Sequence, residues 1–143
     1  MPQLGYTLGR DVAVDINTPT GKLRIPKIMG FDSKPQVSTN KIVPLNGISD
    51  ELQIPNGWNG TINAERQDGT LDDFWAQWEE NYFNGIDQQK GTITETITES
   101  NGTVSVYRYE GVSFHLTDAG NKTGDKTVAQ VLSWTANRRK KVN

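Results

Sequence analysis

The sequence predicts a mainly β domain, in which two antiparallel sheets pack as a β-sandwich or barrel-like structure with one flanking α-helix. Several short stretches alternate apolar and polar residues, and turn dipeptides such as Asn-Gly separate them. One segment near the middle of the chain has the periodicity of an amphipathic helix. A length of 143 residues is typical of one domain, and we expect residues 1–143 to form a single one.

The first elements are a pair of strands. Residues 11–16 and 22–28 each alternate apolar with polar side chains, and the intervening NTPTG has the composition of a turn. Pro26 has no backbone N–H and therefore marks a strand end or edge. We predict a β-hairpin at the start of the chain.

Residues 29–57 interrupt this regular pattern. They are polar, contain three prolines and include two short stretches that favour extended structure, residues 36–43 and 51–54. A long irregular excursion inside a compact domain is often functional, so we predict an extended arm that contacts another molecule. The alternative is a surface loop with one edge strand. The candidate contact residues on the arm are Ser33, Lys34, Pro35, Lys41, Leu45 and Ile48.

The single helix follows a further strand, WNGTINAERQ. In TLDDFWAQWEENYFNG, Thr70 is the predicted N-cap, and Asp73 lies three residues later, close to a capping box. Asn84-Gly85 is a typical C-terminal signal. The spacing of the apolar residues places them on one face, which we expect to pack on the core. This face consists of Leu71, Phe74, Trp75, Trp78 and Tyr82.

Two strands joined by Asn101-Gly102 come next, in GTITETITESNGTVSVYRYEG. A two-residue turn at this dipeptide pairs Glu95 with Arg108 and places the threonines together on one face. The more apolar face then consists of Ile93, Ile97, Val104 and Val106. Because both faces carry polar residues, the pattern leaves open which face is buried.

The remaining strands have clear apolar faces. Residues 111–118 place Val112, Phe114 and Leu116 on one side. In KTVAQVLSWTAN, alternation predicts one face made of Val128, Gln130, Leu132 and Trp134. Residues 138–143 begin with RRKK and form a basic C-terminal tail, either solvated or in contact with an acidic partner.

The residues that carry most catalytic and metal chemistry are scarce. The chain has no cysteine and one histidine, His115, on an alternating strand without a visible partner. No glycine-rich phosphate loop is present. We therefore expect no catalytic residues, no metal and no cofactor. The four tryptophans favour core positions, and a sugar-stacking platform is the alternative.

The sequence shows neither a stretch long and apolar enough for a membrane span nor a secretion signal. The body is acidic and its basic residues are concentrated at the C-terminus. A general nucleic-acid binder would show a basic face, so this charge distribution disfavours that class.

Taken in chain order, these features resemble the tail tube proteins of contractile-tailed bacteriophages, which share their fold with the Hcp tube protein of type VI secretion. The resemblance lies in the strand pair DVAVDINTPTGKLRI, the proline-rich excursion and the helix TLDDFWAQWEENYF. It continues through the hairpin GTITETITESNGTVSVYRYEG and the closing strand that ends in RRKKV.

The resemblance implies a structural virion protein whose homo-hexameric rings stack into a tail tube. DNA would pass through the lumen during ejection without specific binding. Implied partners are the tail sheath, tape measure, baseplate and tail terminator proteins, with assembly in the host bacterial cytoplasm. The alternatives are a tube-initiator or baseplate ring component and a carbohydrate-binding β-sandwich.

The resemblance also assigns candidate positions. A neutral wall of Thr94, Thr96 and Thr98 is the expected lumen surface, and the opposite face with Glu95 and Glu99 is the alternative. Besides the arm, we expect Arg138 and Arg139 to contact a neighbouring subunit.

Overall fold

The computed structural model describes residues 4–18, 21–25 and 28–142. The predicted turn at Pro19 and Thr20 and the predicted strand end at Pro26 lie outside them. A 3-10 turn, Gly9–Asp11, precedes the first strand. The strands are β1 (Val12–Thr18), β2 (Gly21–Leu23), β3 (Ile28–Phe31), β4 (Lys34–Ile42), β5 (Asp50–Glu65), β6 (Gly91–Thr98), β7 (Val104–Asp118), β8 (Ala129–Ala136) and β9 (Arg138–Lys141). The helix α1 spans Thr70–Phe83, between β5 and β6.

All strand pairs are antiparallel, and the strands form one sheet that curls into a half-barrel. Its order is β2-β1-β6-β7-β8-β5-β3, with β4 also paired to β5 and β9 to β7. The long strand β7 connects two layers, because its first half pairs with β6 and its second half pairs mainly with β8. The predicted class, antiparallel sheets with one helix, is confirmed.

The core lies on the inner side of the curl and follows the predicted alternation. On β8, Gln130, Leu132 and Trp134 are buried while their neighbours are more exposed, which confirms the predicted inward face. The predicted first hairpin, β1 with β2, is also present. The buried apolar residues are Ile16, Ile62, Ala64, Leu71, Ile93, Tyr109, Val112, Phe114, Leu132, Trp134 and Ala136.

The basic C-terminus is a strand rather than a free tail. β9 pairs with the first half of β7 in the same register that β8 keeps with the second half. The two are one strand interrupted at Asn137, whose N–H still donates to the carbonyl of Glu110 at 2.9 Å. The prediction of a free, solvated tail over residues 138–141 is therefore wrong, because the backbone there completes the sheet. Contact of its exposed side chains with a partner stays a prediction.

The β6–β7 hairpin is shifted by one residue from the predicted register. Thr98 pairs with Val104 and Glu95 with Tyr107, so the predicted Glu95–Arg108 pair is wrong. The loop has three residues instead of two, since the Glu99 N–H donates to the Thr103 carbonyl at 2.9 Å. Gly102 adopts φ 87°, the left-handed conformation that such loops require.

This shift exchanges the partners of every residue on β6. Ile93 and Tyr109 now share the core face. Val104 and Val106, which were predicted on the apolar face, lie beside the threonines on the other face.

Residues 29–57 are more regular than predicted. The first of them belong to β3, and most of the rest form a long hairpin between β4 and the first half of β5. Pro55 lies at the point where the register between β4 and β5 shifts, a position where proline is tolerated.

Helix α1 begins one residue differently from the prediction. Thr70 is its first helical residue, and the preceding Gly69 makes no side-chain cap. Asp68 takes the capping role instead. Its carboxylate accepts a hydrogen bond from the Thr70 N–H at 3.1 Å and one from the Thr70 hydroxyl at 2.5 Å. These hydrogen bonds hold the pKa of the Asp68 carboxyl below its ordinary value.

The C-terminus of α1 is the one predicted. Gly85 has φ 76°, and its N–H donates to the carbonyl of Tyr82. The N–H of Ile86 donates to the carbonyl of Asn81, which completes a Schellman motif.

Candidate functional site: surfaces for assembly

The hairpin formed by residues 34–56, hereafter the arm, is exposed along its whole length. β4 pairs with β5 alone, and every β4 residue is exposed. An isolated two-stranded hairpin is marginally stable in water, so the arm lacks the packing that normally supports such a structure. The candidate residues Lys34, Pro35, Lys41, Leu45 and Ile48 lie on it, while Ser33 is half-buried at its root.

The arm carries an unusual share of exposed apolar side chains. The register places Leu52, Ile54 and Ile42 on one face, because each cross-strand pair points to the same side. The loop between the strands adds Val43, Leu45 and Ile48, of which Leu45 is fully exposed. Their direct cross-strand partners, Asn40, Ser38 and Asp50, are polar, so the face is mixed. A concentration of exposed apolar side chains in one hairpin is nevertheless typical of an interaction site.

The second half of α1 is also poorly covered. Leu71 is buried and Phe74 packs edge-on against Phe114 at 5.9 Å, so the start of the helix joins the core. Tyr82 is 59% exposed and Phe83 80% exposed. The prediction that Tyr82 packs on the core is wrong, because among the described residues the core cluster ends at Phe74 on this helix and Tyr82 lines a surface groove.

The rings of Trp75, Trp78 and Tyr82 stack along the helix. Their planes are within about ten degrees of parallel, with centroids 4.4 Å apart for Trp75–Trp78 and 6.0 Å for Trp78–Tyr82. Trp75 also meets the ring of His115 edge-on at 5.4 Å. These half-buried rings pack mainly against one another, so the helix keeps aromatic surface open to solvent.

A groove of about 270 Å³ opens between α1, the segment after it and β7. We call it the aromatic groove; its lining residues are Phe74, Trp78, Asn81, Tyr82, Ile86, Asp87, Gln88, Gln89, Ser113 and Phe114. Its apolar wall comes from aromatic rings and Ile86, and its rim from amides, the Asp87 carboxylate and the Ser113 hydroxyl. This composition is typical of a site that receives an apolar side chain.

The outer face of the β6–β7 hairpin presents a stripe of hydroxyls. Thr94, Thr96 and Thr98 lie on it, opposite Arg108, Val106 and Val104 respectively. Ion pairs flank the stripe, with Lys22–Asp15 at 3.2 Å on one side and Lys140–Glu110 at 3.5 Å on the other. The predicted uncharged wall is thus neutral at Thr96 and Thr98, while Arg108 lies beside Thr94 and further charges lie at its borders.

The inner face of the same hairpin contains a polar cluster. The hydroxyl of Tyr109 donates to Glu95 Oε1 at 3.2 Å, and Arg139 Nη2 lies 3.8 Å from that oxygen. The guanidinium carbon of Arg139 is 3.7 Å from the ring centroid of Tyr107 and 4.6 Å from that of Trp58. The charge of Arg139 is thus stabilised by cation–π contacts with two aromatic rings and by the nearby carboxylate.

Two predicted positions are corrected by this cluster. Glu95 is buried, so the alternative that places it on a lumen surface is contradicted. Arg139 contacts residues of its own chain, whereas the exposed Arg138 remains available to a neighbour.

Burial is the main cause that raises the pKa of Tyr109 above its ordinary value.

The sequence signal for this cluster was weak. Glu95 and Arg139 are far apart in the chain, and an acidic residue on an alternating strand usually faces water. The one usable signal is that Glu95 alternates with Ile93 and Ile97, which the correct register places on the core face.

The described residues offer little for catalysis. They contain no group of three or more His, Asp or Glu side chains placed to hold a metal ion. His115 is exposed on β7 beside Trp75. No helix within the described ranges has the length and apolar character of a membrane span.

Comparisons with known proteins give structural neighbours only. No protein-family model matches the chain, and no curated protein does. Among solved structures, a chain of the sheath/tube terminator of PVC, an extracellular contractile injection system, has 13% identity and a TM-score of 0.64 over 99% of this chain and 100% of that one.

Two further neighbours come from related particles. A chain of the tube-terminating cap of the anti-feeding prophage has 13% identity and a TM-score of 0.62, covering 98% of this chain and 93% of the other. A chain of the PVC sheath–tube complex has 14% identity and a TM-score of 0.58, covering 90% and 86%. The chain therefore has the fold of the tube-like structural components of contractile injection systems and phage-like tails.

Proposed function

We propose that this chain is a structural subunit of the inner tube of a contractile tail, and that it forms homo-hexameric rings that stack. The observation that carries the proposal is a curled sheet that does not close on itself, in a fold shared with tube-like components. The exposed arm supports it, because a hairpin without a core of its own gains packing only from another molecule.

The open side of the half-barrel supports pairing between subunits. The strand order ends in β2 on one side and in β3 on the other. β1 and β3 line the same cavity of about 480 Å³, whose walls include Val12, Val14 and Phe31. An unpaired, apolar-lined edge is an aggregation hazard unless a neighbour covers it. In a ring, the next subunit covers it and the assembly closes.

The threonine stripe is the surface we assign to the lumen. Threonine hydroxyls keep water at the wall without attracting phosphates, which suits a conduit for DNA. Lys140 is paired with Glu110, whereas the exposed Arg108 lies opposite Thr94 and is the cation nearest to the stripe. DNA would then pass without specific binding. The tail sheath, tape measure, baseplate and terminator proteins are the proposed partners, in a virion tail assembled in the bacterial cytoplasm.

A ring at one end of the tube is the second candidate. The fit to the terminator chain, with a TM-score of 0.64, exceeds the fit to the sheath–tube chain, with 0.58. A terminator or an initiator has the same subunit fold but must stop stacking after one layer.

Negative-stain electron microscopy of the chain expressed alone, with light scattering across a concentration series, separates these candidates. Tubes that lengthen with concentration indicate the tube body, and single rings indicate an end component. A monomer at all concentrations refutes both self-assembling roles. In that case, titration with oligosaccharides followed by tryptophan fluorescence tests the carbohydrate-binding alternative.

A further inference from the structure

We propose that the aromatic groove is a binding site for a neutral saccharide, whose sugar ring packs on Trp78 and Tyr82 while its hydroxyls bond to the polar rim. The inference goes beyond the assembly proposed above, because it assigns a small ligand to a surface of the single chain. It is carried by the lining of the groove, in which five of the ten residues are polar and the others are aromatic or aliphatic.

The apolar wall of the groove offers open ring surface. Tyr82 is 59% exposed, and its ring plane lies within 6° of that of Trp78, with 6.0 Å between the two ring centroids. Aromatic rings in full face-to-face contact lie about 3.5–4 Å apart, so part of the facing surface of these two rings is uncovered. The C–H face of a pyranose packs on such a ring because both surfaces are flat and apolar.

The polar rim has hydrogen-bonding capacity that the chain itself does not use. Asp87, Gln88 and Gln89 are exposed, and no side-chain hydrogen bond or ion pair within the described ranges engages them. Asn81 Oδ1 accepts from Gln77 Nε2 at 2.9 Å, which leaves the Asn81 amide N–H groups to donate. The rim thus combines acceptors with donors, as recognition of hydroxyls requires, because a hydroxyl both donates and accepts.

Lys90 orients the Ser113 hydroxyl on the same rim. Lys90 Nζ donates to Ser113 Oγ at 3.1 Å. An ammonium group cannot accept, so the Ser113 O–H points to a different acceptor. No acceptor among the described residues takes that O–H, and it is therefore available to a ligand oxygen.

The charges around the groove favour a neutral ligand. Asp87 lies on the groove and Lys90 lies at its Ser113 end, so an ion of either sign meets both attraction and repulsion. Glu79 and Glu80 add negative charge on α1, which disfavours phosphate and carboxylate ligands in particular.

A purely apolar occupant suits the aromatic wall but not the whole groove. Covering the polar half of the lining without giving it hydrogen bonds costs free energy for each group that is cut off from water. The occupant must therefore carry polar groups as well as an apolar surface. A sugar ring carries both within one compact unit, and the groove volume of about 270 Å³ is close to the lower end of small-molecule sites.

Titration of the full chain tests the proposal, with tryptophan fluorescence and isothermal titration calorimetry as readouts. The probes are cellotetraose, maltotetraose, mannotetraose and N-acetylated chitotetraose, each to about 10 mM, so that even a dissociation constant of about 1 mM gives near-saturation. We expect saturable binding of at least one of them. Binding of none overturns the saccharide site, whereas rings or tubes in the same preparation keep the assembly proposal. Saccharide binding by a chain that stays monomeric gives the reverse result.

Two variants test the wall and the rim separately. Tyr82→Ala and Asp87→Ala are each expected to weaken binding roughly tenfold, because the first removes ring surface and the second removes an acceptor. The matched controls are Tyr6→Ala and Asp125→Ala, which change an exposed tyrosine and an exposed aspartate that do not line the groove. Unchanged affinity in either groove variant, or equal losses in the controls, overturns the assignment.

The uncharged fluorophore N-phenyl-1-naphthylamine separates a saccharide site from an apolar one. It packs on aromatic surface and makes little use of a polar rim. If the native chain binds it, Tyr82→Ala weakens that binding and the saccharide displaces it, the two ligands share the groove and the proposal is supported. Fluorophore binding at the groove that no saccharide displaces indicates a site for apolar side chains of a partner, and the proposal is then overturned.

Discussion

Replacing Arg139 with alanine is expected to destabilise the domain, although the residue belongs to a basic, solvent-facing sequence. The side chain lies against Tyr107 and Trp58 and approaches the carboxylate of Glu95. Truncation leaves that carboxylate on the core face with Tyr109 as its remaining donor. A charge that loses its counter-ion in a buried setting is costly because water cannot replace the lost partner.

The expected magnitude is about 3 kcal/mol. Breaking a fully buried ion pair costs about 3–5 kcal/mol, and we take about 2 kcal/mol because part of the stabilisation survives. The Arg139 side chain is 24% exposed, and the hydrogen bond from Tyr109 persists. The two ring contacts add about 0.5–1 kcal/mol in total, since partly exposed cation–π contacts are at the low end. For a domain of this size, such a loss lowers the Tm by about 6–12 °C.

Urea denaturation of dilute, unassembled protein measures this effect, with tryptophan fluorescence as the signal. Arg138→Ala is the matched control, because Arg138 is exposed on the same strand, and we expect it to change stability by less than about 0.5 kcal/mol. In the double variant with Glu95→Gln, the two losses are expected to fall short of their sum by about 1 kcal/mol. Equal stability of the Arg139→Ala and Arg138→Ala variants would refute the cluster.

Two further predictions concern the helix and the buried tyrosine. Leu71→Ala is expected to cost about 2–4 kcal/mol in urea denaturation because Leu71 is buried, whereas Tyr82→Ala is expected to be nearly neutral in the monomer; similar losses would contradict the open end of α1. The pKa of Tyr109 is raised in the folded state, so the unfolded state loses its proton first and stability falls as the pH rises above about 10. Denaturation between about pH 8 and 11 is expected to show a steeper loss for the native chain than for Tyr109→Phe, and identical slopes would disprove the assignment.

Alternation of apolar and polar residues, together with helical periodicity, was sufficient to predict most of the strands and the helix. Alternation places Gln130 on the same face as Leu132 and Trp134, and the structure buries all three. Its amide donates to Asp72 on α1 and to the carbonyl of Ala119, which explains how a polar group is accommodated there. The sequence pattern predicts burial correctly in such strands because side chains alternate between the two faces, so the face of one residue fixes the face of the next.

The hairpin register failed for a local reason. An Asn-Gly dipeptide signals a turn but does not fix the loop length. Asn101 accepts from the backbone N–H of Thr103 at 3.0 Å and from its hydroxyl at 2.6 Å, an interaction that favours the three-residue loop. One extra loop residue changed the partners of the whole strand. It moved Tyr107 and Tyr109 to the face of Glu95, whose charge Arg139 compensates.

The exposure of the arm and of the C-terminal end of α1 was not predictable, for a different reason. A chain with a hydrophobic fraction of 34% has few apolar residues to spare, yet Leu45, Ile54 and Phe83 among others face solvent. In this structure they stay exposed, because the β4 residues lie on the surface and the one buried residue of the helix, Leu71, lies in its first turn. Periodicity finds surfaces that a chain buries within itself. Apolar surfaces that the chain does not bury within itself are recognised only in the structure, where their side chains are seen to be exposed. Under the proposed assembly, the folding of the arm and the assembly of the particle would be one equilibrium, since the hairpin would gain its packing from the neighbour that it helps to bind.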